Sequence, residues 1–171
     1  MTALYLSKPA ILSSLGEGIE RHVQHLLNAE DSPLKLSERA FHIYGLDGKP
    51  RVFGEVNVPL RPFPQNLPEI HVSRNNQLLW HCLAQIEDQI ASVIQRFGKH
   101  RIAVVIGTST TGVDENIPVF KYAAQHHDWS SERFKQQQQY FSAPADFVAY
   151  QYGLEGQLMV FLLPVLPAQK P

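Results

Sequence analysis

One thiol, one cluster of adjacent metal-binding residue types and one run of hydroxyls are the groups in this sequence suited to chemistry. Cys82 is the lone cysteine. A nucleophilic cysteine needs a nearby cation or a helix N-terminus to lower its pKa. Cys82 instead falls on the apolar stripe of a predicted helix, and His81 beside it points elsewhere, so it reads as a small buried hydrophobe. His126-His127-Asp128 has metal-ligand chemistry, but neighbouring helical residues diverge by about 100° and do not converge on one ion. No other cluster supplies further ligands, and an exposed polar turn is expected there. The run Gly107-Thr-Ser-Thr-Thr-Gly112 places four hydroxyls between two glycines. It resembles a phosphate cradle, yet it lacks the lysine of a P-loop, and Pro118 is expected to interrupt the helix that should follow. Three readings stay open: a plain strand-to-loop turn, a nucleotide- or metabolite-binding loop, and a pocket wall of small hydroxyl residues. No Ser-His-Asp set and no paired carboxylates stand out by spacing.

The elements that must hold these groups follow from periodicity and punctuation. Ile102 to Ile106 is an unbroken, mostly β-branched run, which predicts a strand buried on both faces and ending at Gly107. Open α/β sheets place ligands at such strand ends. Residues 3–6, ALYL, predict a short first strand. Ile19, Val23, Leu26 and Leu27 recur at helical spacing and predict a helix over 17–28. Six prolines crowd residues 33–72, so regular structure there must be short or at an edge. Phe41–Tyr44 and Arg51–Val58 read as strands joined by a turn at Gly45–Gly48. Ser73 is a helix cap, and the apolar face from Leu78 to Phe97 predicts one long helix over 74–97 closed by Gly98. Pro118–Gln125 and Ser131–Tyr140 read as helical, with Gln136–Gln139 as a solvated face. Ser142 and Pro144 open a helix that Gly153 stops. Residues 157–171 are apolar, then proline-rich, without a helical or alternating period.

The chain has 171 residues, 44% apolar, with 15 basic and 16 acidic side chains and a formal net charge of -1. That is enough for one domain with a sizeable core. Scattered, balanced charge argues against nucleic acid or an anionic membrane as the main partner. The single cysteine suits a reducing compartment, no apolar run is long enough to span a membrane, and no signal-peptide pattern opens the chain. A cytoplasmic location is expected.

The stretches RNNQLLWHCLAQI, RIAVVIGTSTTGVDE and FSAPADFVAYQYGLEG together resemble the β-ketoacyl-acyl-carrier-protein synthases, most of all the branch associated with aryl polyene and related polyketide-type pathways. The resemblance covers about Met1 to Gly156 and is weak before Arg74. It implies an α/β architecture, the thiolase-like fold, of which this chain holds an incomplete N-terminal half: a parallel-core sheet flanked by helices. It implies acyltransferase chemistry, the decarboxylative condensation that extends an acyl chain on an acyl carrier protein in fatty acid, polyketide or aryl polyene biosynthesis. The carrier's phosphopantetheine would deliver the substrate; no resident cofactor or metal is implied. Thr108 and Thr110 would belong to the acyl pocket, Thr110 at a gate-like position, near a dimer interface. A homodimer or a heterodimer with a ketosynthase is expected.

The sequence departs from the family after Gly156. There the family continues with a strand and an S-T-A-C-S/T-S elbow that carries the nucleophile; both catalytic histidines come later still. No catalytic residue of the family can be matched in this chain. Residues 1–156 therefore read as a ketosynthase-like region and 157–171 as an aberrant tail. Codons allowed for Gly156 to Pro171, read one base out of step, permit PAYGISTACTSSAKA, so the tail is expected to be a frameshift product. Three functional readings follow: a ketosynthase part inactive by itself, a non-catalytic partner or carrier-protein docking subunit of a full ketosynthase, and a small nucleotide- or metabolite-binding α/β module.

Overall fold

The computed structural model describes residues 4–28, 34–36, 52–129 and 133–162. The chain divides into two compact units, Met1–Leu60 with His81–Glu87, and Arg61–Trp80 with Asp88–Pro171.

In the first unit, β1 (Leu12–Ser13) and β2 (Gly16–Glu17) form an antiparallel hairpin with Ser13 opposite Gly16. Helix α1 (Ile19–Leu27) follows, close to the expected span. Its buried residue is His22, while Val23, Leu26 and Leu27 of the anticipated apolar stripe are exposed. Over its described part the ALYL run is not a strand: Leu4, Tyr5 and Leu6 pair with no strand among the described residues and are about nine-tenths exposed (89%, 88% and 91%). Strand β3 (Leu34–Leu36) pairs antiparallel with β4 (Val52–Gly54). Phe41–Tyr44 and the turn at Gly45–Gly48 lie outside the described residues. The strand expected over 51–58 stops at Gly54, where its pairing with Leu34 ends.

The single helix expected over 74–97 is two helices, α2 (Arg74–Ala84) and α3 (Glu87–Phe97). At the break the Gln85 and Ile86 amides donate to the Cys82 and Leu83 carbonyls, each at 3.1 Å. These are three-residue spacings, a tightened turn in place of an α-helical one. The Gln85 side chain explains it: its amide donates to the Ile11 carbonyl (3.0 Å) and accepts from the Ile11 N–H (3.2 Å). The helix starts as anticipated, with the Asn76 N–H donating to Ser73 Oγ at 3.2 Å. Gly98 ends α3, its N–H bonded to the Ile94 carbonyl at 2.9 Å.

The second unit is built around β5 (Val104–Thr108) and β6 (Leu158–Leu162), a parallel pair with Val104 opposite Leu158 and Thr108 opposite Leu162. The strand therefore lies two residues later than expected. It is buried on one face only: Val104 is buried, whereas Val105 is 53% exposed beside Met159 (43%) and Phe161 (56%). The covered face meets α5 (Ala143–Tyr152), which packs on both strands. Residues 157–171 were read as aperiodic, yet part of them, β6, takes the place of a neighbouring strand. An unbroken apolar run has no alternation to detect, and it can still pair through its backbone.

Helix α4 (Val113–His126) begins directly after Gly112 and runs through Pro118. The expected interruption is absent. Pro118, the sixth residue of the helix, gives up the hydrogen bond to the Asp114 carbonyl and crowds it, and the helix continues to His126. Ser131–Tyr140 is not a helix over its described part, where only Gln137–Gln139 makes a short 3₁₀ turn. Gln138 is buried at 2% exposure rather than solvated, because its side chain donates to the Glu69 carbonyl at 2.7 Å. Helix α5 opens with Pro144 in its first turn and ends at Gly153, as read. Gly153 adopts φ 61°, and the Leu154 and Gly153 amides return to the Ala149 and Tyr150 carbonyls at 2.9 and 3.3 Å, the two bonds of a left-handed helix stop.

Aromatic rings make the core of this unit. Phe147 is fully buried. Phe63 and Trp80 meet it edge-on, with centroids at 5.9 and 6.3 Å. The Trp80 indole donates to the Pro62 carbonyl (3.1 Å), and Arg61 lies over its ring at 3.9 Å. His71 completes the cluster, 6.1 Å from Phe147 and 4.8 Å from Tyr150. Burial pushes the His71 imidazole below the ordinary histidine value, with the Asp146 carboxylate opposing more weakly. The fold thus favours the neutral ring. Its contribution to stability is complete above the ordinary histidine pKa and is lost as pH falls through the lowered folded value, because the unfolded chain takes up the proton first. Denaturant melts at a series of pH values will show stability falling on acidification through this window, and His71→Phe will flatten that part of the profile.

Candidate functional site

The hydroxyl run sits where a parallel strand gives way to a helix. Thr108 is the last residue of β5. Its hydroxyl donates to the Thr110 carbonyl at 2.8 Å, and the Asn75 amide donates to the same oxygen at 2.8 Å. Two donors on one carbonyl fix the loop between Thr108 and Thr110. The side chains of Ser109 and Thr110 are exposed. Thr111 is buried and donates to the Tyr140 carbonyl at 3.1 Å. Gly112 follows at φ 55°, and a Cβ built there would fall 2.1 Å from the Gln138 carbonyl oxygen. Only glycine lets the loop approach the 137–139 turn so closely.

Side chains from α4 lock the loop from behind. Asn116 is fully buried. Its amide donates to the Lys135 carbonyl (3.2 Å) and, more distantly, to the Gly112 carbonyl (3.4 Å), and its oxygen accepts from the Lys135 N–H (2.8 Å). Glu115 reaches the start of α2, where its carboxylate accepts the Arg74 N–H at 2.6 Å. Such a charged acceptor complements the positive end of a helix. The result is a rigid ledge at the carboxyl end of β5 that offers Ser109 and Thr110 to solvent. Such a ledge can wall a ligand through hydroxyls and backbone.

A cavity of about 730 Å³ opens on the far side of the same turn, lined by Glu69, Phe134, Lys135, Gln138 and Tyr140 among others. Thr108 and Thr110 are not among its lining residues. Lys135 Nζ lies 3.1 Å from Glu69 Oε1, an exposed ion pair of little energetic weight. Gln138 Oε1 is buried and accepts no hydrogen bond from the described residues. The sequence does not single out Asn116, and it presents Gln138 only as part of a solvated face. The only signal was polarity at positions flanked by helical residues, which equally describes a solvated surface.

Cys82 belongs to the first unit. It is half-buried, and burial raises its thiol pKa, with the Glu17 carboxylate adding to the rise. His81 Nε2 is 3.1 Å from Glu17 Oε2, so that imidazole serves the carboxylate. Cys82 is therefore a protonated thiol at neutral pH and a poor nucleophile. Iodoacetamide will alkylate it more slowly than free cysteine, and Glu17→Gln will speed the reaction, as timed intact-mass measurements will show. His126 stacks on Tyr122 with ring centroids 4.1 Å apart and has its Nδ1 2.9 Å from the Tyr122 carbonyl, while His127 takes a left-handed φ of 53°. Among the described residues no three histidine, cysteine, aspartate or glutamate side chains converge as a metal site, and no helix is long and apolar enough to cross a membrane.

No family model and no curated protein matches the sequence. Solved structures do match. One is a chain of the Xenorhabdus doucetiae complex of the ketosynthase ApeO with its chain length factor ApeC, at 30% identity and a TM-score of 0.74. That match covers 90% of this chain and 37% of the other. A second is a β-ketoacyl synthase from Burkholderia phymatum, at 15% identity and a TM-score of 0.58, covering 90% of this chain and 39% of that one. The second likeness concerns the fold alone. The chain thus spans less than two-fifths of the length of either structure.

Proposed function

We propose, from its likeness to solved ketosynthase structures and their thiolase-like fold, that this chain is the part of a condensing protein that walls an acyl chain. The single observation behind this is the 30% identity carried over nine-tenths of the chain, with a rigid hydroxyl ledge at the carboxyl end of its central parallel strand. In this reading Thr108 and Thr110 face the acyl chain, Thr110 as its gate. The donor is an acyl carrier protein bearing a phosphopantetheine thioester, in cytoplasmic fatty acid, polyketide or aryl polyene synthesis. Decarboxylative condensation would need an acyl-accepting cysteine that Cys82, held protonated beside Glu17, does not supply. Residues 157–171 are read here as translated out of frame, and the gene around the Gly156 codon tests that directly.

A second reading has one observation in its favour: the matched structure is a complex of a ketosynthase with a partner chain. Here the chain is a non-catalytic partner of a complete ketosynthase. One experiment addresses both readings. The full chain is incubated with an acyl carrier protein carrying a pantetheine crosslinker and with acyl-loaded carrier, with and without a complete ketosynthase. Carrier retention and altered acyl-chain length without acylation of this chain supports the proposal. Transfer of an acyl group to Cys82 sinks it, as does indifference of the carrier to the chain in both mixtures. Co-elution with the ketosynthase at the mass of a one-to-one pair favours the second reading.

A further inference from the structure

Ser13 and His22, both in the first unit, form a pair that spacing did not reveal. Ser13 Oγ lies 2.7 Å from His22 Nε2, and His22 Nδ1 lies 2.6 Å from the Gly18 carbonyl oxygen. A carbonyl can only accept, so in the neutral ring Nδ1 carries the proton and Nε2 presents its lone pair. The Ser13 hydroxyl must then donate to Nε2. The Leu15 N–H donates to the same hydroxyl oxygen at 3.1 Å, so the serine is held with its proton aimed at a base. A nucleophile, a base and an oriented third group within hydrogen-bond reach make up the general arrangement of an activated serine; here a backbone carbonyl is the third group.

The local fold produces this arrangement. Ser13 closes β1 beside the hairpin turn. Gly18, at φ 82°, precedes α1, and its N–H donates to the Ile11 carbonyl at 3.0 Å, which ties the helix start to the hairpin. His22, one turn into α1, is buried at 8% exposure, while Ser13 is half-buried. The base is thus sheltered and the nucleophile lies nearer to solvent.

We propose that Ser13 and His22 are a nucleophile–base pair that accepts the acyl group of a small, activated carboxylic ester. Ser13 Oγ bonds to the acyl carbon as its proton passes to His22 Nε2. The bond from that carbon to the leaving alcohol oxygen breaks, and Nε2 protonates the alcohol. Water then attacks the acyl-serine, losing its proton to Nε2, and that proton returns to Ser13 Oγ as the carboxylic acid departs. The net change is ester and water to acid and alcohol. This activity is independent of the acyl-wall reading of the hydroxyl loop.

The test treats the full chain with a fluorophosphonate probe and, separately, with p-nitrophenyl acetate. One phosphonyl adduct is expected, mapped to Ser13 by tandem mass spectrometry. Ester hydrolysis should fall by about 10²-fold in both Ser13→Ala and His22→Gln, the usual range for a lost proton-transfer partner. Ser13→Ala leaves the His22–Gly18 bond in place, and its melt reports whether the hairpin persists. An unmodified chain without an adduct at Ser13 overturns the proposal, whatever the variants do. Equal labelling of Ser13 in folded His22→Gln also overturns it, since the imidazole then acts only as a structural tie.

Discussion

Phe147→Ala will destabilise the second unit by about 3–5 kcal/mol, the range for emptying a large aromatic site in a packed core. Phe147 has no exposed surface. Its ring is the common neighbour of Phe63, His71 and Trp80, so the loss would reach three different segments. Those rings are anchored elsewhere, Trp80 through the Pro62 carbonyl and Arg61, and cannot collapse freely into the space. Urea unfolding of the full chain, followed by tryptophan fluorescence, measures the change. Phe147→Leu keeps most of the volume and should cost less than half as much. Equal losses for the two variants would mean that ring geometry, not volume, holds the cluster together.

Gly112→Ala is the second large effect, at about 3 kcal/mol, near the upper end for a single substitution. Two costs combine. A left-handed φ of 55° disfavours any Cβ, by roughly 1–2 kcal/mol. The new carbon would also stand 2.1 Å from the Gln138 carbonyl oxygen, which is backbone and cannot swing aside. Separating the two segments would strain the Thr111–Tyr140 and Asn116–Lys135 hydrogen bonds, each worth about 1 kcal/mol net. Gly153→Ala is the internal control. Its φ is similar at 61°, but its nearest obstacle, at 2.8 Å, is the flexible end of Lys99. It should lose only the conformational part, so chemical unfolding of the two variants separates clash from φ.

What the sequence made legible is local chemistry. Ser73 capping a helix, Gly98 and Gly153 ending helices, and proline in the first turn of α5 are all decided within a few residues, and each lies where it was expected. The strand-to-loop change was legible too, although β5 runs through Gly107 and ends at Thr108. Long-range decisions were not legible. The break at Gln85 depends on Ile11, 74 residues away. Gln138 looked solvated because nothing near it in sequence announces the Glu69 carbonyl, 69 residues back. The same holds for the site. Its hydroxyls could be read, but Asn75, Asn116 and Tyr140, which fix them, enter from three other segments. The two-faced burial assigned to β5 failed for a related reason. An apolar run states what a strand can bury, while the number of covered faces depends on which neighbours pack against it, and here α5 covers one.

The bare outer face of the β5–β6 pair has a colloidal consequence. Val105 stands opposite Met159, Phe161 follows two residues along the same face opposite Gly107, and all three apolar side chains are in contact with solvent. A formal charge of -1 leaves the molecules almost no mutual repulsion near neutral pH. Pair interactions in solution should therefore be net attractive, with a negative osmotic second virial coefficient by static light scattering near pH 7. Met159→Lys or Phe161→Glu should move it toward positive values, because a charge would then stand where the strands offer only apolar surface.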